Sequence, residues 1–244
     1  MKNPLRKRIL RELRDELGKY LVIFLLLTAT IGFVSGFLVA DGSLLAAYEE
    51  GFTLYNIEDG YFDLAKKANK AQIKTMQGWG VQLYENFYVE KSLTNGSTLR
   101  VFAPREQVDL VCLMSGSLPQ TADEVAIDRM YADNNGLTPG DTLETEDGRR
   151  WTISGLVALS DYSCLFSDNN DSMFDSVKFG VGIVSKDCFD ALGTDQLTYH
   201  YAWKYDEPPV DKAAQQDRAE ELMQQMTAEV KLESFVPQYQ NQAI

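Results

Sequence analysis

The hydrophobic pattern divides the chain into one long apolar segment near the N-terminus and a body in which short apolar and polar runs alternate. The apolar segment, residues 20–40, holds 21 consecutive uncharged residues between Lys19 and Asp41. As a helix rising about 1.5 Å per residue it would be roughly 31 Å long, close to the ~30 Å hydrocarbon core of a bilayer. We therefore predict a transmembrane helix. A cleaved signal sequence stays open, since small residues at Ala40 and Gly42 fit a cleavage site, although such apolar runs usually have about 7 to 15 residues.

Small residues recur every four positions within this span, and two of them form a GxxxG pattern. Helices in lipid associate by close packing, so a face of small side chains predicts a neighbouring helix. Chance is the alternative, because glycine and alanine are common in membrane helices. The predicted packing residues are Thr28, Gly32, Gly36 and Ala40.

A basic segment, residues 1–19, precedes the span. It holds seven Lys/Arg against three Asp/Glu, whereas the whole chain has a net charge of -13. The positive-inside rule then places this segment in the cytoplasm and the acidic body outside the cell membrane. Leucine and isoleucine at every fourth position predict an amphipathic helix, which would lie on the anionic inner leaflet or dock on a cytoplasmic protein. Its predicted lipid- or protein-facing cations are Arg6, Lys7, Arg8, Arg11 and Arg14.

The body after the span alternates irregularly between strand and helix patterns, which predicts a mixed α+β domain at residues 56–244 after a helical stalk at 41–55. The segment "GYFDLA" is typical of a first strand, and "AKKANKAQIKTMQGW" of a helix. Alternating apolar residues predict one strand over residues 81–91, and two hairpin turns are expected at Asn95-Gly96 and Asp147-Gly148.

Two later segments carry apolar faces. Aromatic residues alternate along residues 197–203, which favours core packing over a binding surface. After Pro208-Pro209 a helix is expected, with a buried stripe made of Ala219, Leu222, Met223 and Met226.

Candidate catalytic chemistry is sparse. The single histidine, His200, lies on the polar side of a predicted strand and is expected to be structural or at the surface. No hydrolase motif and no phosphate-binding GK[ST] loop occurs, so we expect neither enzyme activity nor a cofactor. The three cysteines have no metal-binding spacing and are expected to be small buried thiols. An acidic body repels nucleic acid, which excludes that class of partner.

The densest acidic segment runs from Asp168 to Asp175 and begins like a calcium loop. Met173 and Phe179 stand where an EF-hand needs glycine and glutamate, so a solvated loop is favoured over a weak cation site.

Several phrases in a fixed order resemble one family, the FtsX-like and MacB-like permeases of ABC transporters. After the basic helix and the span come a Gly-x-Leu-Pro turn, a Glu-x-Ala-Ile-Asp strand, a helix, a Gly-Asp pair and a strand ending in Ser-Gly. The resemblance covers most of residues 1–235. No single phrase would suffice, but the phrases together and in this order are specific to the family. The positions that match are Gly116, Leu118, Pro119, Glu124, Asp128, Gly140, Asp141 and Gly155.

The resemblance implies a permease subunit with a MacB-like extracytoplasmic core domain, a separate cytoplasmic ATPase, and a homodimer or a heterodimer with another permease. Residues 1–19 would lie near the ATPase, and ATP hydrolysis would move the outer domain by mechanotransmission. Family members cross the membrane at least three more times after this domain, so the sequence is expected to be a fragment of a longer permease. A single-pass anchored binding or sensory domain is the alternative.

Overall fold

The computed structural model describes residues 14–193 and 196–244, without the side chains of residues 41–49. Helix α1, Leu17–Leu54, spans 38 residues. Its first part, Leu17–Ala40, is the single helix in the described part of the chain that is long and apolar enough to cross a membrane, and its side chains are exposed. A mixed α/β domain follows. The predicted fold class, an N-terminal apolar helix followed by a mixed domain, is confirmed.

Residues 51–244 form one compact unit, and α1 up to Glu50 belongs to another. The strands of this unit are β1 (Gly60–Leu64), β2 (Val81–Glu85), β3 (Tyr88–Ser92), β4 (Thr98–Phe102), β5 (Val111–Gly116), β6 (Glu124–Asp128), β7 (Thr142–Glu144), β8 (Arg150–Leu159), β9 (Phe179–Val184), β10 (Leu197–Tyr205) and β11 (Leu232–Pro237). Its helices are α2 (Lys70–Gln77), α3 (Arg129–Asn135), α4 (Lys186–Ala191) and α5 (Lys212–Glu229), followed by a 3-10 turn, Gln238–Gln240.

The strands form one continuous sheet in the order β11-β1-β10-β3-β4-β9-β6-β8-β5, with β2 paired to β10 and β7 paired to β8. The pairs β4/β9 and β6/β8 are parallel, and the other pairs are antiparallel. Strand β10 joins the two halves because its start pairs with β3 and its remainder with β1 and β2.

Each half of the sheet has its own apolar core. One core gathers Val101, Ile127, Tyr131, Trp151 and their neighbours around β4, β6, β8 and β9. The other surrounds Phe62, Tyr201 and Trp203 on β1 and β10, and α5 covers it with Leu222 and Met226. The aromatic face of β10 is therefore core, as the alternation predicts.

Local sequence accounts for several element ends. Asp128 caps α3 by accepting hydrogen bonds from the Met130 and Tyr131 backbone at 2.7 and 3.1 Å. Gly136 ends the same helix in the left-handed conformation at φ 65°. Gly96 and Gly148 have φ of 80° and 86°, and each lies in a turn between antiparallel strands. Both predicted hairpin turns are confirmed.

Two expectations about the strands and the buried face of α5 are wrong. The strand expected over residues 81–91 is two strands, because Asn86 turns inward and donates its side-chain amide to Asp109 Oδ2 at 2.8 Å. Met223 is 40% exposed, since only Ala219, Leu222 and Met226 of α5 face the core.

Candidate functional site

A cluster of buried charged residues lies where the chain enters the domain after α1. Three acidic residues of this cluster are almost fully buried: the exposed fractions of Glu58, Asp109 and Asp161 are 1%, 0% and 4%. Arg105 lies among them with a side chain 2% exposed, and its Nη1 donates to Asp161 Oδ1 at 2.5 Å. Three acids thus share one guanidinium in a desolvated place, which is an electrostatically demanding arrangement.

Backbone hydrogen bonds hold this cluster together. The Asp109 carboxylate accepts from the Glu58 backbone N–H at 2.8 Å through Oδ1. The Leu110 N–H donates to the Tyr55 carbonyl at 2.8 Å, and the Asp109 N–H donates to the Asn56 carbonyl at 3.2 Å. Asn56 and Asp109 both have positive φ, 46° and 49°, a conformation that asparagine and aspartate tolerate better than most residues. The segment after the helix is therefore tied to the loop that precedes β5.

The burial of this cluster changes its proton affinity. Desolvation, followed by the nearby charge of Asp161, raises the pKa of Asp109 to about 7. Desolvation also raises the pKa of Glu58 well above its usual value, and the charges of Asp109 and Asp161 add to the effect. The Arg105 guanidinium opposes both shifts. At neutral pH the cluster is therefore close to taking up a proton.

This proton affinity predicts that the domain is more stable at pH 5.5 than at pH 8. A folded-state pKa above the unfolded value stabilises the fold fully below the unfolded pKa, and the contribution is lost as pH rises through about 7. For Asp109, with a folded-state pKa of about 7, the gain in stability from pH 8 to pH 5.5 is about 2 kcal/mol. Of the charged groups that face Asp109, Asp161 raises its pKa, whereas Arg105 and Lys204 lower it.

Urea unfolding of the full chain in micelles measures this dependence, since all three tryptophans lie in the domain and report on its unfolding alone. Asp109→Asn should reduce the gain in the free energy of unfolding from pH 8 to pH 5.5 by at least half. An unchanged gain in this variant would show that the titrating group lies elsewhere.

A second polar group crosses three adjacent strands. Asp63 on β1 lies opposite His200 on β10 and Ser234 on β11. Its carboxylate contacts His200 Nδ1 at 2.7 Å and accepts from Ser234 Oγ at 2.5 Å. Burial alone would raise the pKa of Asp63, but His200 and the hydroxyl of Ser234 together hold it below its usual value.

This trio is not arranged for nucleophilic catalysis. A nucleophilic serine needs a base that accepts its proton, usually a histidine that a carboxylate orients. Here Ser234 donates to the carboxylate of Asp63, and His200 bonds that same carboxylate. His200 is 5% exposed, so its expected structural role fits and its expected surface position is wrong.

The two polar groups border one cavity of about 340 Å³. Glu58, Asp63, Asp161 and His200 line it together with Arg100. Three tyrosines add aromatic walls, namely Tyr61, Tyr88 and Tyr162. Arg100 is already bonded, because it donates to Glu90 at 2.6 Å, to the Tyr162 hydroxyl at 2.8 Å and to the Ser167 carbonyl at 2.7 Å. The cavity is of ligand size and has a predominantly acidic lining.

The predicted membrane-packing residues Thr28, Gly32, Gly36 and Ala40 lie along one part of α1 with exposed side chains, and a methyl group added at Gly32 or Gly36 would meet no atom of the described chain within 4 Å. The stripe is thus open to a neighbouring helix. Of the predicted basic residues, Arg14 is exposed on the described chain, and Arg6, Lys7, Arg8 and Arg11 lie outside the described residues.

The positions that carry the family resemblance form turns and caps instead of the cavity. Glu124 accepts from the Gln120 and Thr121 backbone at 2.7 and 3.1 Å. Asp141 accepts from the Thr138 backbone at 2.7 Å, next to Gly140 at φ 100°. Leu118 is 40% exposed and Pro119 is buried.

Two of these positions are glycines because two backbones meet there. Gly116 on β5 is paired with Gly155 on β8. A Cβ on Gly155 would lie 2.6 Å from the Ser117 carbonyl oxygen and 2.7 Å from that of Ser115. The Ser-Gly end of the family pattern therefore marks a close backbone approach at the start of the Gly-x-Leu-Pro turn.

Two aspartates of the acidic loop accept hydrogen bonds from within the loop, whereas Asn169 bonds the C-terminal segment at Gln240 and Gln242. Asp168 accepts from the Asn170 backbone at 2.8 Å, and Asp171 accepts from the Asp168 backbone at 3.0 Å. Over residues 14–193 and 196–244 no group of three potential ligands is placed to hold a metal ion. Cys188 is buried as expected, but Cys112 and Cys164 are only partly buried, and all three are free thiols.

Sequence reasoning missed the buried cluster. Its acids and arginine come from three separate stretches, residues 58, 105–109 and 161, which the fold brings together. The available signal is weak, because Glu58 and Asp109 each simply follow one aliphatic residue, Ile57 and Val108, outside the predicted elements. A charged residue beside one buried aliphatic residue is common in loops, so the pattern alone does not single these positions out.

No family model matches the chain, and no curated protein matches it either. Among solved structures, it is similar to the extracellular domain of the noncanonic ABC-type transporter YknZ from Gram-positive bacteria. That match has 12% identity and a TM-score of 0.37, and covers 72% of this chain and 97% of the other. It is also similar to the periplasmic region of MacB from Actinobacillus actinomycetemcomitans, with 12% identity, a TM-score of 0.40, and coverage of 73% and 87%. In both cases the likeness is one of fold alone.

Proposed function

We propose that the chain is a permease subunit of an ABC transporter, in which ATP hydrolysis by a separate cytoplasmic ATPase moves an extracytoplasmic domain. The observation that carries the proposal is the continuity of α1. The helix that supplies an apolar stretch of bilayer length, Leu17–Ala40, runs on to Leu54. Under the proposal, a displacement at the membrane end is passed along this helix towards the domain.

The segment after Leu54 supports the same proposal, since it is bonded to two parts of the domain. The Lys204 ammonium donates to the Ile57 carbonyl at 2.7 Å, and the Asp59 N–H donates to the Trp203 carbonyl at 2.9 Å. The bonds between this segment and Asp109 and Leu110 hold its other side. A movement of the segment would therefore reach β10 and the loop before β5 together.

The ordered motif resemblance is the second support. Under the proposal, residues 1–19 lie in the cytoplasm near the ATPase or the inner leaflet, residues 41–55 form the stalk, and residues 56–244 lie outside the cell membrane. The small-residue stripe would pack against a second permease helix, in a homodimer or a heterodimer. The chain would perform no chemistry of its own.

Co-purification tests the proposal. The complete reading frame that encodes residues 1–244 is expressed together with the ATPase encoded beside it, and the membrane fraction is solubilised and purified through the permease. We expect the ATPase to co-elute in a fixed ratio. An authentic stop codon after Ile244 together with no neighbouring ATPase gene would contradict the transporter function.

The second candidate is a single-pass anchored domain that binds a ligand and signals through a helix pair. The cavity beside Glu58 favours it, because a ligand site is what such a sensor needs. The same co-purification separates the two candidates, since a sensor would elute without an ATPase.

A further inference from the structure

Glu58 carries an unsatisfied acceptor at the wall of the 340 Å³ cavity. The residue is 1% exposed, and within the described structure its Oε2 has no hydrogen-bond partner. The other buried carboxylates of the two polar groups have partners: Asp161 bonds Arg105, Asp109 bonds Asn86, and Asp63 bonds His200 and Ser234. A buried carboxylate oxygen without a donor is destabilising, so its retention needs a reason.

The cations that border the cavity are already engaged. His200 is bonded to Asp63, and Arg100 is bonded to Glu90, Tyr162 and Ser167. Arg105, which belongs to the cluster but does not line the cavity, donates to Asp161 through Nη1, and its Nε and Nη2 have no partner in the described structure. None of these cations lies within hydrogen-bond distance of Glu58 Oε2, so a ligand in the cavity can supply the donor.

The electrostatics of the cavity favour a positive ligand. Its lining holds five acidic residues against Arg100 and His200. Two of these acids, Asp168 and Glu233, are exposed residues at its edge, where they attract cations from solvent. The aromatic walls add surfaces that accommodate the carbon part of an organic cation.

We propose that this cavity binds a small organic cation with a primary ammonium group, which donates a hydrogen bond to Glu58 Oε2. An ammonium fits because it offers three donors in a compact group, so it can bond Glu58 and a neighbouring acceptor at once. A bare metal ion fits less well, since no set of three ligating side chains converges in the described structure. The site does not depend on an ATPase and stands if the transporter function fails.

The test is calorimetric titration of the full chain in nanodiscs with n-butylammonium, with empty nanodiscs as the blank. We expect saturable binding at pH 8, and n-butanol of the same shape should bind at least 10-fold more weakly. Glu58→Gln should weaken butylammonium binding at least 10-fold, whereas the matched change Glu146→Gln, at an exposed position that does not line the cavity, should change it less than 3-fold. Ethanolamine and alanylalanine amide, compared with its N-acetyl form, distinguish a lipid-like amine from a peptide amino terminus.

Proton competition gives a second readout that needs no variant. Burial and the neighbouring charges of Asp63, Asp109 and Asp161 favour the protonated form of Glu58, while Arg105 opposes it. Butylammonium binding to the wild-type chain should therefore weaken at least 10-fold from pH 8 to pH 5. Equal binding of butanol, equal binding at both pH values, or binding that Glu58→Gln leaves unchanged would overturn the proposal, as would the absence of binding at pH 8.

Discussion

Arg105→Met is expected to destabilise the domain by about 3–5 kcal/mol. The Arg105 side chain is 2% exposed and compensates Asp161 directly, while Glu58 and Asp109 share its charge. Methionine keeps most of the volume above Phe102, whose ring centroid lies 4.1 Å from the guanidinium carbon. The loss of stability therefore arises because three buried carboxylates lack a counter-charge. It should be smaller at pH 5.5, where protonation neutralises part of that negative charge.

Arg150→Met is the matched control, because its ion pair with Glu144 at 3.1 Å is 70% and 41% exposed. An exposed pair contributes at most about 1 kcal/mol, so this variant should unfold within that margin of the wild type. Urea unfolding followed by tryptophan fluorescence measures both variants. Equal losses in the two would mean that the buried cluster does not depend on Arg105.

Gly155→Ala is the second substitution with a large expected effect, a loss of about 3 kcal/mol or more. The added methyl group would lie 2.6–2.9 Å from backbone atoms of Ser115 and Ser117, and backbone cannot turn aside as a side chain can. To admit the methyl group, β5 would have to separate from β8, with loss of pairing at Gly116.

Gly136→Ala separates crowding from backbone strain. Gly136 has φ 65°, and a methyl group added there would meet no atom of the described chain within 4 Å. Alanine at this position should therefore destabilise the domain only through backbone strain, by about 1–2 kcal/mol. Thermal unfolding in micelles ranks the two variants. If Gly136→Ala is as destabilising as Gly155→Ala, the close backbone approach is not the reason for glycine at position 155.

Local patterns in the sequence predict much of this fold. The turns at Asn95-Gly96 and Asp147-Gly148, the capped helix α3 and the aromatic strand β10 each follow from residues within a few positions of one another. Strand β9 escapes prediction because its sequence, "FGVGIV", is buried on both faces and lacks alternation. Its Gly180 is explained only by the fold, since the ring of Tyr131 lies against it.

Local patterns of this kind do not predict the candidate site, and the reason is physical. Asp63, His200 and Ser234 meet through the register of three strands, and their positions are 137 and 171 residues apart in sequence. Arg105 pairs with Asp161 across 56 residues. The burial that makes these polar groups notable is a property of the assembled sheet, whereas the motif positions that are visible in sequence turn out to shape turns and caps.

The most direct test of the proposed function is ATP turnover by the neighbouring ATPase in nanodiscs, with and without the permease that contains this chain. We predict that the wild-type permease raises turnover several-fold, and that Gly36→Ile abolishes the increase by blocking close helix approach. Val34→Phe, an enlargement on the opposite face of α1, should leave the increase intact. Turnover that is the same with and without the permease would contradict the proposed function.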